Sequence, residues 1–415
     1  MSSPYTHKPA CRFCATPLEH LFADLGMSPL ANSYLAAHQL SAMERFYPLR
    51  AYVCSHCLLV QLEEFETPDH IFSEYAYFSS YSTTWLEHSR AYVDQVTERF
   101  GLDISSHVVE LASNDGYLLQ YFKGRHIPVL GIEPAANVAK LALQKGIPTL
   151  VEFFGVEAAT SLVPDSSADL LLGNNVLAHV PDLNDFVGGM KILLKPSGVI
   201  TMEFPHLLSL VKQNHWDTIY HEHFSYFSFR TVREVFRAHG LRLFDVELLP
   251  THGGSLRIYG AHAENEDHPN TESISRLLDV ERAAGFDELQ TYADYGRRVT
   301  ADKMEILSFL IDRKRAGQRL VGYGAPAKAN TLLNYCGIGS EFIEYTCDLN
   351  PAKQNHFLPG THIPIRSPES IRDDRPDVVL ILPWNLKDEI MEQLSFIREW
   401  GGQFATLTPQ LQLYR

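Results

Sequence analysis

Apolar, strand-like runs alternate with amphipathic, helix-like stretches along most of this 415-residue chain. From residue 107 the strand-like runs are HVVEL, PVLGIEP, PTLVEFF, ADLLLGNN and GVITMEF. Strands separated by helices of this length predict a parallel sheet with right-handed crossovers. The later stretch LRLFDVELLPTHGGSLRIYGAHA holds two strand-like runs around a glycine turn, and it predicts an antiparallel edge to the same sheet.

The same alternation returns near the end of the chain. Residues 265–317 are polar with helical periodicity, which predicts a connector. A second series then runs from QRLVGYGAPAKANTLLNYCG through FIEYTCDLN and PDVVLILPWNLKDEI to GQFATL. We therefore predict an α/β fold with two parallel-sheet units, divided into residues 1–79, 80–264, 265–317 and 318–415.

Composition narrows the classes of partner. Hydrophobic residues make up 45% of the chain and charged residues 20%, as in globular proteins with more than one core. No run approaches the roughly 20 apolar residues that span a bilayer, and the first residues lack the apolar centre of a signal peptide. We expect a soluble, cytoplasmic, monomeric protein that binds no membrane. A net charge of −15 without a basic block argues against nucleic acid.

Four of the six cysteines form two CxxC pairs, CRFC and CSHC. A tight turn can point both thiolates of such a pair at one ion, and four thiolates complete tetrahedral zinc without an open position. The predicted site, Cys11, Cys14, Cys54 and Cys57, is therefore a structural Zn²⁺ site. The distance between the pairs exceeds the usual spacing, and a redox dithiol or unrelated thiols are the alternatives. His56, inside the second pair, is expected to face solvent.

Polar or glycine residues follow four successive predicted strands, at the edge where an open parallel sheet binds its ligands. The turn ASNDG offers a glycine for close approach and the unpaired N–H groups of a helix start, and the acid of GIEP could accept both ribose hydroxyls. Because the turn lacks GxGxxG, a ligand without phosphate, such as S-adenosylmethionine, is favoured over a dinucleotide. Two phenylalanines after the third strand suit an adenine, or belong to the core. The candidate cofactor-binding residues are Glu110, Ala112, Asn114, Asp115, Gly116, Glu133, Pro134, Phe153, Phe154, Asn174 and Asn175.

The densest group of titratable side chains lies in the segment DTIYHEHFSYFS. It holds Tyr220, His221, Glu222, His223 and Tyr226. A histidine beside a carboxylate and phenols suits general base work, and the alternative is a polar, hydrogen-bonded loop.

Several motifs, in this order over essentially the whole chain, resemble those of the sugar C-methyltransferases that make branched deoxysugars. They are the paired CxxC motifs, ELASNDG, GIEP, NNVLAHV, IYHEHFSYFS, HGGSLR and GYGAPAKANTLLN. The resemblance implies a zinc-binding N-terminal domain, a class I S-adenosylmethionine-dependent methyltransferase domain, a helical connector and a Rossmann-like C-terminal domain. It also implies methylation at C-3 of a 4-keto nucleotide-linked deoxyhexose, often a dTDP sugar, in a cleft between the second and last domains.

The resemblance further assigns roles to residues of this sequence. His223 corresponds to the proposed general base, with Tyr220 and Glu222 beside it, and His179 and one of Tyr75 or Tyr77 line the sugar pocket. The residue types suit the chemistry, because a C–H bond beside a ketone becomes acidic through its enolate. Such a site needs a base near the carbon and hydrogen-bond donors near the oxygen.

The C-terminal turn GYGAPAKANTLL joins a strand to a helix through Gly322 and Gly324, with Lys328 one turn into the helix. Backbone N–H groups and a lysine can hold a phosphate, and the resemblance implies the diphosphate of the sugar nucleotide. Arg257, in HGGSLRIY, is expected to line the interdomain cleft, as is His252.

Other functions are left open by the residues alone. A plain structural turn explains GYGA equally well. A nicotinamide-dependent oxidoreductase would use the same turn, with Asp348 as its ribose-binding acid. A methyltransferase of oxygen or nitrogen, or a non-catalytic zinc-bearing scaffold, are further alternatives.

Overall fold

A computed structural model of the protein describes residues 9–67 and 79–414. Its strands are β1 (His20–Ser28), β2 (Tyr47–Val53), β3 (Val60–Leu62), β4 (Val108–Leu111), β5 (Val129–Ile132), β6 (Thr149–Leu150), β7 (Ala168–Asn174), β8 (Leu194–Pro205), β9 (Ser225–Tyr226), β10 (Leu241–Leu249), β11 (Ser255–His262), β12 (Leu320–Tyr323), β13 (Thr346–Cys347), β14 (Ile365–Arg366), β15 (Val378–Ile381), β16 (Gln403–Thr406) and β17 (Gln412–Tyr414).

The α-helices are α1 (Thr83–Phe100), α2 (Leu119–Lys123), α3 (Ala136–Gln144), α4 (Val156–Ser166), α5 (Leu183–Leu193), α6 (Leu207–Gln213), α7 (Phe229–Ala238), α8 (Glu272–Ala283), α9 (Leu289–Ala293), α10 (Tyr295–Arg315), α11 (Ala327–Cys336), α12 (Glu369–Asp374) and α13 (Lys387–Gln393). Short 3-10 helices cover Ala37–Gln39, Ser79–Tyr81, Leu177–His179, Trp216–Thr218, Thr251–Gly253, Trp384–Leu386 and Ser395–Trp400. None of the described helices combines the length and the apolar character needed to cross a bilayer.

The central sheet has seven strands in the order β10-β11-β8-β7-β4-β5-β6. Strands β8, β7, β4, β5 and β6 run parallel, and β11 runs antiparallel to both of its neighbours, which confirms the predicted hairpin edge. All four residues of β4 are buried, because helices cover both faces of a parallel sheet. The chain moves from β4 to β5 and β6, then returns to β7 on the other side. A ligand crevice is therefore expected where β4 and β7 end.

The third strand of this sheet is shorter than predicted. The sequence PTLVEFF predicts a strand that reaches Phe154, but β6 contains only Thr149 and Leu150. Residues from Val151 onward leave the sheet before they enter α4. The pattern was misleading because Phe154 packs on Phe186 of α5, whereas Val151 and Phe153 are exposed rather than buried in the sheet.

The C-terminal sheet has six strands in the order β14-β13-β12-β15-β16-β17. Its first five strands run parallel, and β17 pairs antiparallel with β16. The predicted second α/β unit is confirmed. Its chain also reverses direction across the sheet, between β12 and β15, so a second crevice lies at the ends of those two strands.

The N-terminal sheet has the order β1-β2-β3-β9 and includes a strand from a distant part of the chain. Strand β9 pairs antiparallel with β3, with Val60 opposite Tyr226 and Gln61 opposite Ser225. The titratable segment around residues 220–226 is consequently held in place by the N-terminal sheet. The numerical boundaries of the four predicted parts stay a prediction.

Residues 265–317 form three helices, α8 to α10, that pack closely on the rest of the protein. Glu281 of α8 is 1% exposed, and its carboxylate accepts the N–H groups of Phe229 (2.6 Å) and Arg230 (2.9 Å) at the start of α7. The same carboxylate lies 2.7 Å from Nε2 of His206. These N–H groups have no partner within their own helix, so Glu281 fastens the connector to the central domain.

Candidate active site

The two CxxC turns have the same backbone geometry. The residue after each pair, Ala15 and Leu58, has a φ of 60°. The N–H of Ala15 donates to the carbonyl of Cys11 (2.8 Å), and the N–H of Leu58 donates to the carbonyl of Cys54 (3.0 Å). Each turn consequently presents its two sulfur atoms on one side.

The four thiols converge on one point. Their sulfur atoms all lie within 4.8 Å of one another, and the shortest separations are 3.5 Å. Tetrahedral zinc thiolate places sulfurs about 3.8 Å apart, so the donor set fits a closed zinc site. The residues that would hold the ion are Cys11, Cys14, Cys54 and Cys57. His56 is exposed, as expected.

The loop after β4 has an unusual backbone. Ala112, Asn114 and Gly116 have φ values of 53°, 49° and 74°. A Cβ atom on Gly116 would lie 2.4 Å from Cδ1 of Ile147, so no larger residue fits without a shift. The loop therefore turns sharply beside the predicted crevice.

Three carboxylates are buried around this loop. Glu110 is 0% exposed, Asp115 2% and Glu133 5%. The Glu133 carboxylate accepts the N–H groups of Asn114 and Ala135, both at 2.9 Å. Burial raises the pKa of Glu133, and it raises the pKa of Glu110 well above its ordinary value. The raised pKa means that Glu110 favours its neutral, protonated form, and Nζ of Lys145 lies 3.4 Å from the carboxylate of Asp115. Carboxyl groups at this edge can therefore accept hydrogen bonds from the hydroxyl and amino groups of a ligand.

The other predicted cofactor-binding residues differ from one another in their contacts and in their exposure. Asn174 ends β7, and Asn175 follows with a φ of 55° and donates its N–H to the carbonyl of Glu203 (2.7 Å). Phe154 packs edge-on against Phe186 of α5, at 5.4 Å between ring centres, whereas Phe153 is 43% exposed. Phe154 thus follows the core alternative. Pro134 is half-buried next to Glu133.

His223 is held in one tautomer. Its Nδ1 lies 3.1 Å from the carbonyl of Thr218, which can only accept, so Nδ1 carries the hydrogen. Its Nε2 then has a lone pair, and it accepts the hydroxyl of Tyr220 at 2.8 Å. A neutral imidazole with an accessible lone pair on Nε2 is the form that can take a proton from carbon.

A second histidine adjoins the first. The ring of His179 meets the ring of His223 edge-on, with 4.7 Å between their centres. Burial lowers the pKa of His223 well below its ordinary value, and the neighbouring His179 and Lys328 lower it further. Burial also lowers the pKa of His179 to about 4. Both rings are therefore neutral near pH 7.

The carboxylate of Glu222 turns away from His223. Both of its oxygens accept the side-chain amide of Asn32, at 2.7 and 2.9 Å, in the N-terminal domain. Burial raises the pKa of Glu222 to about 7. The expected pair of histidine and carboxylate is replaced by His223 and Tyr220. Tyr75 and Tyr77 lie outside the described residues.

The segment that carries His223 is also fastened to the C-terminal domain. The carboxylate of Asp217, which is fully buried, accepts the indole N–H of Trp384 (2.8 Å) and the hydroxyl of Thr408 (2.7 Å). The hydroxyl of Thr331 in α11 donates to the carbonyl of Ile219 (2.9 Å). The C-terminal domain thus forms one wall of the site.

The glycine turn of the C-terminal domain does not offer its N–H groups to a ligand. The N–H of Gly322 donates to the carbonyl of Tyr345 (2.8 Å), and that of Gly324 donates to the carbonyl of Cys347. A Cβ atom on Gly324 would lie 2.4 Å from Cδ of Pro383. The expected phosphate cradle on these glycines is wrong, because both N–H groups serve the sheet and the small residue serves packing.

Arg257 corrects a second expectation. It is 2% exposed, and its guanidinium pairs with Glu203 (2.7 Å) and Glu247 (3.4 Å) and stacks over the ring of Tyr92. Because its charge is neutralised inside the central domain, Arg257 does not line the cleft as an open cation. Lys328 does face the cleft region, with Nζ 2.7 Å from Oδ1 of Asn385 and 4.2 Å from the ring centre of Trp384.

Two further histidines lie at the site: the sequence predicts that His252 lines the cleft, and it gives no role to His215. His252 has a φ of 54° in the β10–β11 turn and meets Trp85 edge-on, at 5.3 Å between ring centres. His215 stacks on Trp384, with 4.4 Å between ring centres. Burial lowers the pKa of each to about 4. His252 could be recognised in the sequence from its HGGS motif. His215 lies just before the titratable segment, and no motif marks it.

Comparisons with known proteins show which class of protein has this fold and cluster: a methyltransferase with a zinc-binding N-terminal domain. Residues 11–72 match a family model described as "Putative zinc binding domain", residues 85–246 one described as "Methyltransferase domain", and residues 250–409 one described as "C-methyltransferase C-terminal domain". The chain is 35% identical over 401 residues to the C-methyltransferase NovU of Streptomyces niveus, covering 96% of this chain and 95% of that one. The protein belongs to the C-methyltransferase family, so the oxidoreductase and scaffold alternatives are not supported.

Solved structures resemble part of the chain. An S-adenosylmethionine-dependent methyltransferase from Clostridium acetobutylicum is 9% identical and covers 43% of this chain and 92% of its own, with a TM-score of 0.35. The 1,6-didemethyltoxoflavin-N1-methyltransferase of Burkholderia thailandensis, solved with S-adenosylhomocysteine, is 16% identical and covers 50% and 95%, with a TM-score of 0.36.

Proposed function

We propose that this protein transfers a methyl group from S-adenosylmethionine to C-3 of a nucleotide-linked 4-keto-deoxyhexose in deoxysugar biosynthesis. His223 acts as the base. The observation that carries the proposal is the tautomer of His223, whose Nδ1–H is fixed on Thr218 while its Nε2 lone pair meets the hydroxyl of Tyr220. The methyl donor and the sugar would meet between the crevices of the two parallel sheets.

Charge supports S-adenosylmethionine as the ligand of the central crevice. The sulfonium and amino groups of this cofactor are positive, and the crevice carries the buried acidic side chains of Asp115 and Glu133. When bound, the cofactor supplies a methyl group made electrophilic by its sulfonium. A dinucleotide would bring a pyrophosphate beside these two acids, which electrostatic repulsion disfavours.

Carbon acquires nucleophilic character only after it loses a proton. In the proposed step, Nε2 of His223 takes the proton from C-3, and the electron pair of the C–H bond moves toward the ketone to form an enolate. The new C–C bond then forms from C-3 as the donor's C–S bond breaks. His223 stays neutral until that moment, because burial lowers its pKa well below its ordinary value.

Negative charge on the ketone oxygen needs hydrogen-bond donors. The hydroxyl of Tyr220, which lies 2.8 Å from Nε2 of His223, can turn from the imidazole to the oxygen once substrate is bound. His179 is close enough to assist, since its ring meets that of His223 at 4.7 Å. The base and the donors thus approach adjacent atoms of one keto-sugar.

The C-terminal domain supports an anionic handle on the substrate. Lys328 lies at the end of the second crevice, over the ring of Trp384. A nucleotide diphosphate could pair with this ammonium while its sugar reaches His223. The glycine N–H groups take no part in this contact.

Labelled methyl transfer tests the proposal directly. The protein would be incubated with carbon-labelled S-adenosylmethionine and a panel of 4-keto sugar nucleotides, and NMR would locate the label in the product. We expect the label on C-3, together with solvent deuterium exchange at C-3 in the absence of the donor. Label on oxygen or nitrogen, or no exchange at C-3 under any condition, would exclude the enolate route.

A further inference from the structure

Arg12 lies inside the first CxxC turn and reaches out of it. Its Nη1 donates to the carbonyl of Pro181 (2.6 Å), and its Nη2 donates to the carbonyl of Leu62 (2.5 Å). The guanidinium also lies over the ring of Phe224, at 5.4 Å from the ring centre. A single planar cation therefore touches three separate segments of the chain.

Two of those segments carry the histidines of the site. Pro181 follows His179 by two residues, and Phe224 directly follows His223. The third contact, Leu62, belongs to β3, and its N–H donates to the carbonyl of Phe224 (3.0 Å). Arg12 thus ties the His179 loop and the His223 segment to the same strand.

The thiol cluster in turn fixes Arg12. The backbone N–H of Arg12 donates to the side-chain oxygen of Gln61 (2.8 Å), and the amide nitrogen of Gln61 lies 3.2 Å from the sulfur of Cys11. The side-chain amide of Asn184 donates to the carbonyls of Arg12 and Phe13. The turn that would hold zinc and the residues after His179 are consequently joined on both sides of Arg12.

We propose that Arg12 is a positioning residue that sets the spacing and orientation of the His179 and His223 rings, and so connects the zinc turn to catalysis. This inference rests on the proposed function for its kinetic consequence. The two rings meet edge-on, with 4.7 Å between their centres. Among the described residues, Arg12 is the one whose guanidinium contacts both of the segments that carry these rings. A displacement of about 1 Å at such a site can lower a rate about 100-fold.

Substitution of Arg12 tests the proposal. Arg12→Ala should lower kcat by about 100-fold while zinc content and S-adenosylmethionine affinity, measured by metal analysis and calorimetry, stay within twofold of wild type. Nitrogen NMR of the histidine rings, in the protein without ligand, should show that His223 no longer holds the single Nδ1–H tautomer. Added guanidinium ion should restore part of the activity and the tautomer. The matched control is Arg50→Ala, since Arg50 pairs with Asp24 at the surface of the same domain and should change none of these quantities.

Arg12→Lys keeps the experiment decisive if Arg12→Ala does not fold. A lysine lacks the planar pair of N–H groups that donates to both carbonyls. The kcat of Arg12→Lys should therefore lie between that of the wild type and that of Arg12→Ala. An unchanged His223 tautomer in either variant, or a loss of zinc that parallels the loss of activity, would overturn the positioning role. If the wild-type protein methylates no keto-sugar while the tautomer still responds to Arg12, the proposed function fails and the positioning role stands.

Discussion

The two parallel sheets of this protein use the same device at their first crossover but surround it with different side chains. In the central sheet, Glu133 follows the second strand and accepts N–H groups from the loop after the first strand and from the residue two positions on. In the C-terminal sheet, Asp348 does the same with Ala325 (2.8 Å) and Asn350 (2.8 Å). An acid in this position therefore fastens the glycine turn, whatever the sheet binds.

The surroundings of the two acids differ. Lys353 lies 3.8 Å from Asp348 and donates to the carbonyl of Ala325 (2.9 Å), and the hydroxyl of Tyr34 donates to the same carbonyl (2.5 Å). The third residue of the first strand is Glu110 in the central sheet and Gly322 in the C-terminal one. A further buried acid therefore lies beside the first turn, whereas a lysine and a phenol contact the second turn. The comparison teaches that side chains around the turn, not the turn itself, decide which ligand charge is accepted.

The largest effect should come from the base in the central half of the site. His223→Asn removes the lone pair that takes the proton, so kcat should fall about 100- to 10,000-fold with S-adenosylmethionine affinity nearly intact. Steady-state kinetics and calorimetry measure the two quantities. His56→Asn, at an exposed position, is the control. Retention of more than about a tenth of the wild-type kcat would remove His223 as the base.

Neutralising one acid in each sheet tests the comparison itself. Glu133→Gln should weaken S-adenosylmethionine binding by about 10- to 100-fold, the value of a lost charged hydrogen bond. Asp348→Asn should leave that affinity unchanged, because the proposed crevice for the methyl donor belongs to the central sheet. Calorimetry measures the S-adenosylmethionine affinity of both variants. Equal losses in the two variants would show that the acids serve only the fold.

The cation of the second crevice should give a pH dependence. Burial lowers the pKa of Lys328 to about 8, so the side chain is charged below that pH and neutral above it. Attraction for a diphosphate is then present near pH 7 and lost as the pH rises through 8. We expect kcat/KM for the sugar nucleotide to fall by about tenfold over this range. Lys328→Arg should abolish the fall, and Lys387→Met, at the surface, should not alter it. If Lys328→Arg left the pH profile of kcat/KM unchanged, Lys328 would not be a binding residue for the substrate.

The smallest effect should come from the contact that closes the second turn. Tyr34→Phe removes the hydrogen bond to Ala325 and should lower the free energy of unfolding by about 1 kcal/mol. S-adenosylmethionine affinity should stay as in wild type. Thermal denaturation and calorimetry supply the readouts, with Tyr414→Phe as the control. A changed affinity for the methyl donor would show that the two crevices are coupled through the N-terminal domain.

Local periodicity in the sequence determined much of the fold. The strands of both sheets, the hairpin edge and the convergence of the four cysteines follow from patterns within short segments, because periodicity and CxxC spacing report which side chains share a face. The position of polar residues after strands likewise pointed to the ligand-binding edge of the central sheet, and the density of titratable residues pointed to the segment around His223.

Tertiary structure decided which partner each polar group would find. Glu222 turns to Asn32, far away in the chain, and Arg257 turns to Glu203, so neither could be placed from its own segment. The N–H groups of Gly322 and Gly324 bond to carbonyls of the next strand rather than to a phosphate. The physical reason is that a buried polar group must be paired, and several residues of the right chemistry compete for it until packing brings one within reach.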